Sequence, residues 1–159
     1  MVLAGVLVLV GLDQLSKWFM TGLLKGKPAI SLVGELLVLD YAENTGISWG
    51  LLPDQRWLVL GVTGVVLAGF GGVLLSGRFR NSRLATVGGT MVLAGGLGNL
   101  IDRAFNGFVV DFIYVRAINF PVFNIADCCV VCGAIVTLVY FLFIYKDKEK
   151  EPTPENNSE

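Results

Sequence analysis

Histidine is absent from this 159-residue chain, and charged residues make up only 16% of it. Without histidine there is no Ser-His-Asp or Cys-His nucleophile machinery and no His-ligated metal site. Cysteine is scarce: Cys128, Cys129 and Cys132 crowd into one apolar segment. Adjacent helical residues point about 100° apart, so Cys128 and Cys129 are not expected to pair. Four-cysteine metal spacing is missing too. The three are expected to be small buried apolar residues of a helix interface. A basic surface is also lacking, with a net charge of -1, so no feature argues for nucleic acid or an anionic lipid patch.

What the chain has is hydrophobicity. Apolar residues make up 54% of it and the mean hydropathy is +0.69. The length is that of one domain. The composition predicts an all-α membrane protein.

Met1 to Leu12 is apolar and runs into Asp13 and Lys17. It has no basic leading region and no clear small-residue cleavage site, which predicts a first span rather than a removable signal peptide. Asp13 and Lys17 stand four apart on one helical face and can pair. That pair reads equally as a helix-end ion pair at the interface or as scaffolding for a site. Between Thr21 and Asp54 no spanning run occurs. Ile30 to Val33 and Leu36 to Leu39 read as short strands, and Tyr41 to Gly46 as a turn, with Asn44 and Gly46 its formers. A small β element over about 28–54 is expected, with Trp49 at headgroup level.

Trp57 to Ser76 holds twenty residues without a charge, enough to span. Gly64, Ala68, Gly72 and Ser76 recur every four residues, a stripe that predicts close helix packing. A loop with Arg78, Arg80 and Arg83 follows, then an uncharged run from Leu84 to Ile101. The last run, Phe120 to Tyr145, is interrupted only by Asp127. Spans are expected at about 1–20, 56–76, 84–102 and 121–145, in one integral-membrane domain over 1–145. Residues 146–159 are expected to be a disordered cytoplasmic tail.

The arginine loop and the lysines of the tail (Lys146, Lys148, Lys150) are two spans apart, so both can be cytoplasmic at once. With both termini inside, the β element and the segment from Asp102 to Phe120 fall outside. Asp13 then ends the first span on its outer side, Asp102 ends the third, Asp111 lies in the outer loop and Asp127 opens the fourth. Eighteen residues from Cys128 to Tyr145 make roughly 27 Å of helix, close to the ~30 Å hydrocarbon core. Asp127 is therefore expected near the outer boundary.

Carboxylates at the ends of apolar runs are costly to keep there and need a reason. Capping and ion pairing with Arg103, Arg116 or Lys17 is one, and it applies best to Asp102. No basic residue lies within four positions of Asp111 or Asp127, so these two read as a catalytic pair. Asn99 and Asp102 are three apart, as are Asn124 and Asp127, which places an amide beside each aspartate. A proton-coupled carrier, or a lipid-binding membrane subunit, would use the same aspartates. Carriers tend to place them at the midplane and to contain repeats, and no repeat is evident here.

The motifs GGLGNLIDR (95–103), VVDF (109–112) and FNIAD (123–127), with DQLSK (13–17) and ENTGISWG (43–50), resemble the lipoprotein signal peptidases, or signal peptidase II. The resemblance runs from Asp13 to about Tyr145. It implies four transmembrane helices with a small extracytoplasmic β element, in the bacterial cytoplasmic membrane. It implies an aspartic endopeptidase that cuts diacylglyceryl-modified prolipoproteins before the lipidated cysteine, with no cofactor and no metal. Asp111 and Asp127 match the family's catalytic pair. Asn44, Gly98, Asn99, Asp102, Arg103, Asn124, Asp13 and Lys17 match residues that support the site or position substrate. The resemblance further implies inhibition by the cyclic peptide globomycin at the substrate site. Contact with membrane lipid is expected, and a catalytic pair within one chain requires no dimer, so a monomer is expected. Two departures stand out: almost nothing precedes the first span, and Cys128 and Cys129 follow Asp127 where serine or another small residue is expected. Neither removes a motif residue.

In the chemistry such a pair performs, one carboxyl holds a proton near neutral pH because two close carboxylates resist ionising together. The ionised partner takes a proton from water as it attacks, and the protonated one polarises the scissile carbonyl.

Overall fold

The computed structural model describes residues 1–46, 55–79 and 81–145. Trp49, Arg80 and the tail from 146 onward lie outside the described residues. Among the described residues four helices are long and apolar enough to cross a membrane: α1 (Val2–Leu24), α2 (Arg56–Leu75), α3 (Arg83–Phe105) and α4 (Ile125–Val139), the last running on through a π-helical turn to Tyr145. Asp13 does not end the first span, because α1 continues to Leu24.

The central helix is α3, with which α1, α2 and α4 all make contact. Its most apolar window is 44% buried, against 17–22% in the other three. The outer helices point large apolar side chains away from the protein, among them Leu7, Leu15, Phe19, Val65, Val66, Ile135 and Leu138. In water such a surface would be a liability; in a bilayer it is the solvated face. One core joins Val6 of α1, Leu67 and Leu74 of α2, and Leu93 and Ala94 of α3.

Close packing by small residues occurs between α3 and α4. A Cβ on Gly88 would stand 2.9 Å from the Gly133 carbonyl, and one on Gly133 2.8 Å from Met91 Cβ. The expected stripe on α2 does not pack this way: a Cβ on Gly64 or Gly72 would meet nothing within 4 Å. Instead α2 buries the adjacent face with Val59, Leu67, Gly71 and Leu74. Small residues permit approach on whichever side a neighbour stands, and spacing alone does not say which side that is. The cysteines also differ from expectation. All three are free, but only Cys129 is buried, and Cys132 is exposed.

Three antiparallel strands, β1 (Ile30–Val33), β2 (Leu37–Asn44) and β3 (Val109–Tyr114), form one sheet in that order. Tyr41 to Asn44 is therefore strand rather than turn. It lies opposite β3, with Ala42 facing Asp111 and Asn44 facing Val109. Leu24, Val110 and Phe112 form a second buried cluster, with Met20, Leu39 and Ile125 packed on it. This cluster seats the sheet on the end of α1. Phe123 pairs with Ile113 across an isolated bridge, so the chain enters α4 alongside β3. That bridge brings residue 124 beside residue 111.

Candidate active site

Asp111 is buried in the middle of β3, at 2% exposure. Its Oδ1 accepts from Asn124 Nδ2 at 2.6 Å and its Oδ2 from Asn44 Nδ2 at 3.1 Å. Burial pushes its carboxyl up to about 6, reinforced by the nearby charge of Asp127 and opposed by the two amides.

Asp127 is half-buried in the first turn of α4. Asn124 caps that helix, and the cap is reciprocal: Asn124 Oδ1 accepts from the Asp127 N–H, and Asp127 Oδ2 accepts from the Asn124 N–H. This is a capping box with aspartate in the glutamate position. Asp127 Oδ1 accepts from Asn99 Nδ2 at 2.8 Å. Asn124 is thus the joint between the two carboxylates, holding Asp111 with its side chain and Asp127 with its backbone. Asn124 is fully buried, and its amide also reaches Asn99 Oδ1 and the Val110 carbonyl.

Behind the pair stands a buried ionic group. Lys17 Nζ lies 2.9 Å from Asp13 Oδ2 and 3.1 Å from Asp102 Oδ2, all three side chains being about 2–3% exposed. The Asp13–Lys17 contact is therefore no interfacial ion pair. The ion-pair partner of Asp102 is Lys17, 85 positions back along the chain, rather than adjacent Arg103. Lys17 also donates to Asn99 Oδ1 at 2.9 Å, which orients that amide so that its nitrogen faces Asp127. Asp13 Oδ1 accepts the N–H of Ala126, and Asp102 Oδ2 the N–H of Val110. Each structural aspartate therefore holds the backbone next to one member of the pair. The amide of Asn99 serves Asp127, not Asp102 as spacing suggested. At Gly98 a Cβ would stand 2.5 Å from Asp13 Oδ2, so only glycine fits beside that carboxylate.

Arg103 is buried close enough to Asp111 and Asp127 to interact with both electrostatically. Its Nη2 donates to the Gly46 carbonyl at 2.6 Å. Among the described residues its Nε is buried without a partner. Gly46 N–H in turn donates to Asn44 Oδ1, which leaves the Asn44 amide nitrogen facing Asp111. No group of three Cys, Asp or Glu side chains among the described residues is disposed to hold a metal ion. The arrangement offers two differently buried carboxyls, amide donors on each, and one guanidinium beside them.

A family model described as signal peptidase (SPase) II matches residues 5–143. The chain belongs to the signal peptidase II family. Signal peptidase II relatives include the lipoprotein signal peptidase of Geobacillus thermodenitrificans, 37% identical over 153 residues, covering 94% of this chain and 90% of the relative. That of Bacillus subtilis is 33% identical, covering 91% and 95%. A bacterial membrane enzyme solved by the in meso method superposes with a TM-score of 0.80 at 26% identity, covering 96% of this chain and 93% of its own.

Two residues at this candidate site carried no separate assignment from sequence. Gln14 Nε2 reaches Asp102 Oδ1, the Gly98 carbonyl and Asp13 Oδ2. Its signal was visible, a polar side chain between Asp13 and Lys17 in an apolar run. Arg56 bonds the end of α3. Nothing in its local sequence separates it from an ordinary helix-end cation.

Proposed function

We propose that this protein is an aspartic endopeptidase that removes signal peptides from diacylglyceryl-modified prolipoproteins, cutting before the lipidated cysteine. It works at the outer face of the bacterial cytoplasmic membrane with both termini inside. Membership of signal peptidase II supports the reaction class. The reading of Asp111 and Asp127 as catalytic rests on one observation: a single capping residue, Asn124, bonds both carboxyls. The arginine-rich loop between α2 and α3 supports the orientation. The substrate is a membrane-embedded lipopeptide, globomycin-type cyclic peptides compete for its place, and the enzyme acts as a monomer.

Asp127 is the base and Asp111 the acid. Asp127 sits at the N-terminus of α4, where the helix dipole favours negative charge, and two N–H donors brace its oxygens. Asp111, more deeply buried, enters the cycle in its protonated form, which burial favours. Asp127 takes a proton from water as the oxygen attacks the scissile carbonyl, and Asp111 transfers its proton to the carbonyl oxygen. On collapse the Asp127 proton passes to the departing nitrogen, the C–N bond breaks, and Asp111 recovers its proton from the tetrahedral hydroxyl. Asn44 and Arg103 hold the substrate backbone by its carbonyls, with Arg103 Nε, unpartnered among the described residues, as one of the donors.

The test is cleavage of a diacylglyceryl-modified prolipoprotein peptide by purified protein. Wild type cuts before the lipidated cysteine, while Asp111→Asn and Asp127→Asn fold and lose about 10³-fold or more. Cleavage by both variants at near wild-type rates overturns the pair. Binding of the peptide without any cleavage by wild type overturns the enzyme reading. Asn44→Ala and Arg103→Ala are expected to weaken processing with the fold intact, and unchanged processing removes them from the substrate grip.

A further inference from the structure

Arg56 opens α2, and its side chain crosses to the last turn of α3. Nε donates to the Arg103 carbonyl and Nη2 to the Ala104 carbonyl, both at 2.8 Å. Carbonyls in the last turn of a helix have no N–H of their own helix to receive, so a two-pronged donor satisfies two at once. The chain then leaves α3 through Gly107, at a φ of 86°, and enters β3 at Val109. A Cβ on Gly107 would stand 3.4 Å from Arg56 Nη1. One guanidinium therefore covers the turn that separates Arg103 from Asp111. The Trp57 ring lies 5.0 Å from Arg56 Cζ and shields it on another side.

From that point the contacts run without a gap toward the pair. Arg56 holds the Arg103 carbonyl, Arg103 Nη2 holds the Gly46 carbonyl, Gly46 N–H holds Asn44 Oδ1, and Asn44 Nδ2 holds Asp111 Oδ2. Asp127 is braced by Asn99 with Lys17 behind it, a set that Arg103 meets only through Nη1 on the Asn99 backbone carbonyl at 3.4 Å.

We propose that Arg56 is a positioning residue of the peptidase, acting through Arg103 to set the substrate-gripping side of the site. The inference rests on the peptidase reading above. Arg56 touches no reacting atom; it fixes where the Arg103 side chain starts. Its loss lets that guanidinium and Asn44 drift together, while the base stays braced.

The experiment is a double-mutant cycle in the cleavage assay, with thermal midpoints measured in the same detergent. Arg56→Ala is expected to raise KM about tenfold and to change kcat less than about twofold, as removal of ground-state grip does. Arg56→Lys, a point charge without the fork, falls between the two. In an Arg103→Ala background, Arg56→Ala adds less than about twofold, because its route of action is already gone. Free energies that add across the cycle, a KM within twofold of wild type, or a kcat that falls with the thermal midpoint at unchanged KM would each overturn the proposal. Should Arg56→Ala not fold, Arg56→Lys carries the cycle with the same criteria. Wild type that never cuts overturns the peptidase reading itself; wild type that cuts beside an indifferent Arg56→Ala overturns only this inference.

Discussion

At the scale of single residues, burial without full charge compensation leaves a pH signature. Asp111 titrates near 6 in the folded protein because it is buried, against 3.8 for a free carboxyl. The folded state thus binds its proton more tightly than the unfolded one. The stability this supplies is complete below about pH 4 and is lost as pH rises to about 6, a swing on the order of 3 kcal/mol. Asp111→Asn carries no such proton. The thermal midpoint of Asp111→Asn relative to wild type should therefore climb between pH 4 and 6 and hold steady above. A gap that does not change with pH would show that Asp111 is ionised as easily as a surface carboxylate. Lys17 gives a second residue-level prediction. Lys17→Met strands Asp13 and Asp102 in a buried site, and breaking a buried pair costs about 3–5 kcal/mol. Unfolding in detergent should show a loss of that size, or failure to accumulate in membranes. These residues stood out in the sequence because polar groups are conspicuous in apolar runs. Their partners did not stand out. Lys17 meets Asn99 and Asp13 meets Ala126 only after the helices assemble.

At the scale of elements, the four helices follow from length and hydropathy, whereas the third strand does not. Val109 to Tyr114 is a short run, apolar apart from Asp111, which suits a strand and a buried helix turn equally. It becomes a strand because β2 offers it a ladder. Tyr41 to Asn44 went the same way: turn-forming residues were overruled by pairing with β3. Helix faces were harder still. In a bilayer both the lipid side and the protein side of a helix are apolar, so no polar stripe marks the inward face. The contrast is measurable. Gly133→Val forces a side chain into the α3 contact and should cost about 1–3 kcal/mol or more. Gly72→Ala enters open space and should be neutral or gain up to about 1 kcal/mol from helix propensity. Equal thermal midpoints for the two variants would mean that α3 and α4 do not pack as described.

At the scale of the whole molecule, the proposed topology has the arginine loop and both ends of the four-helix domain on the cytoplasmic side, and it can be tested. With the native cysteines replaced, a cysteine at Glu35 in the β1–β2 turn should react with an impermeant maleimide in intact cells. One at Ser76, at the end of α2, should react only after the membrane is opened. The reverse pattern would invert the protein and place the carboxyl pair inside.

The sequence by itself determined the class, the four spans, the family motifs and the two aspartates with no basic residue nearby. Those are properties of composition and short-range order, and a bilayer makes them legible by demanding long uncharged runs. Only the tertiary structure decided which amide serves which carboxylate, that Asn124 joins the pair, that the α2 stripe faces outward and that Arg56 caps the helix bearing Arg103. The physical reason is common to all of these. A buried polar group must find its partner wherever packing puts one, and for Asp13, Lys17 and Arg56 the packing brings up chain from some 50 to more than 100 residues away.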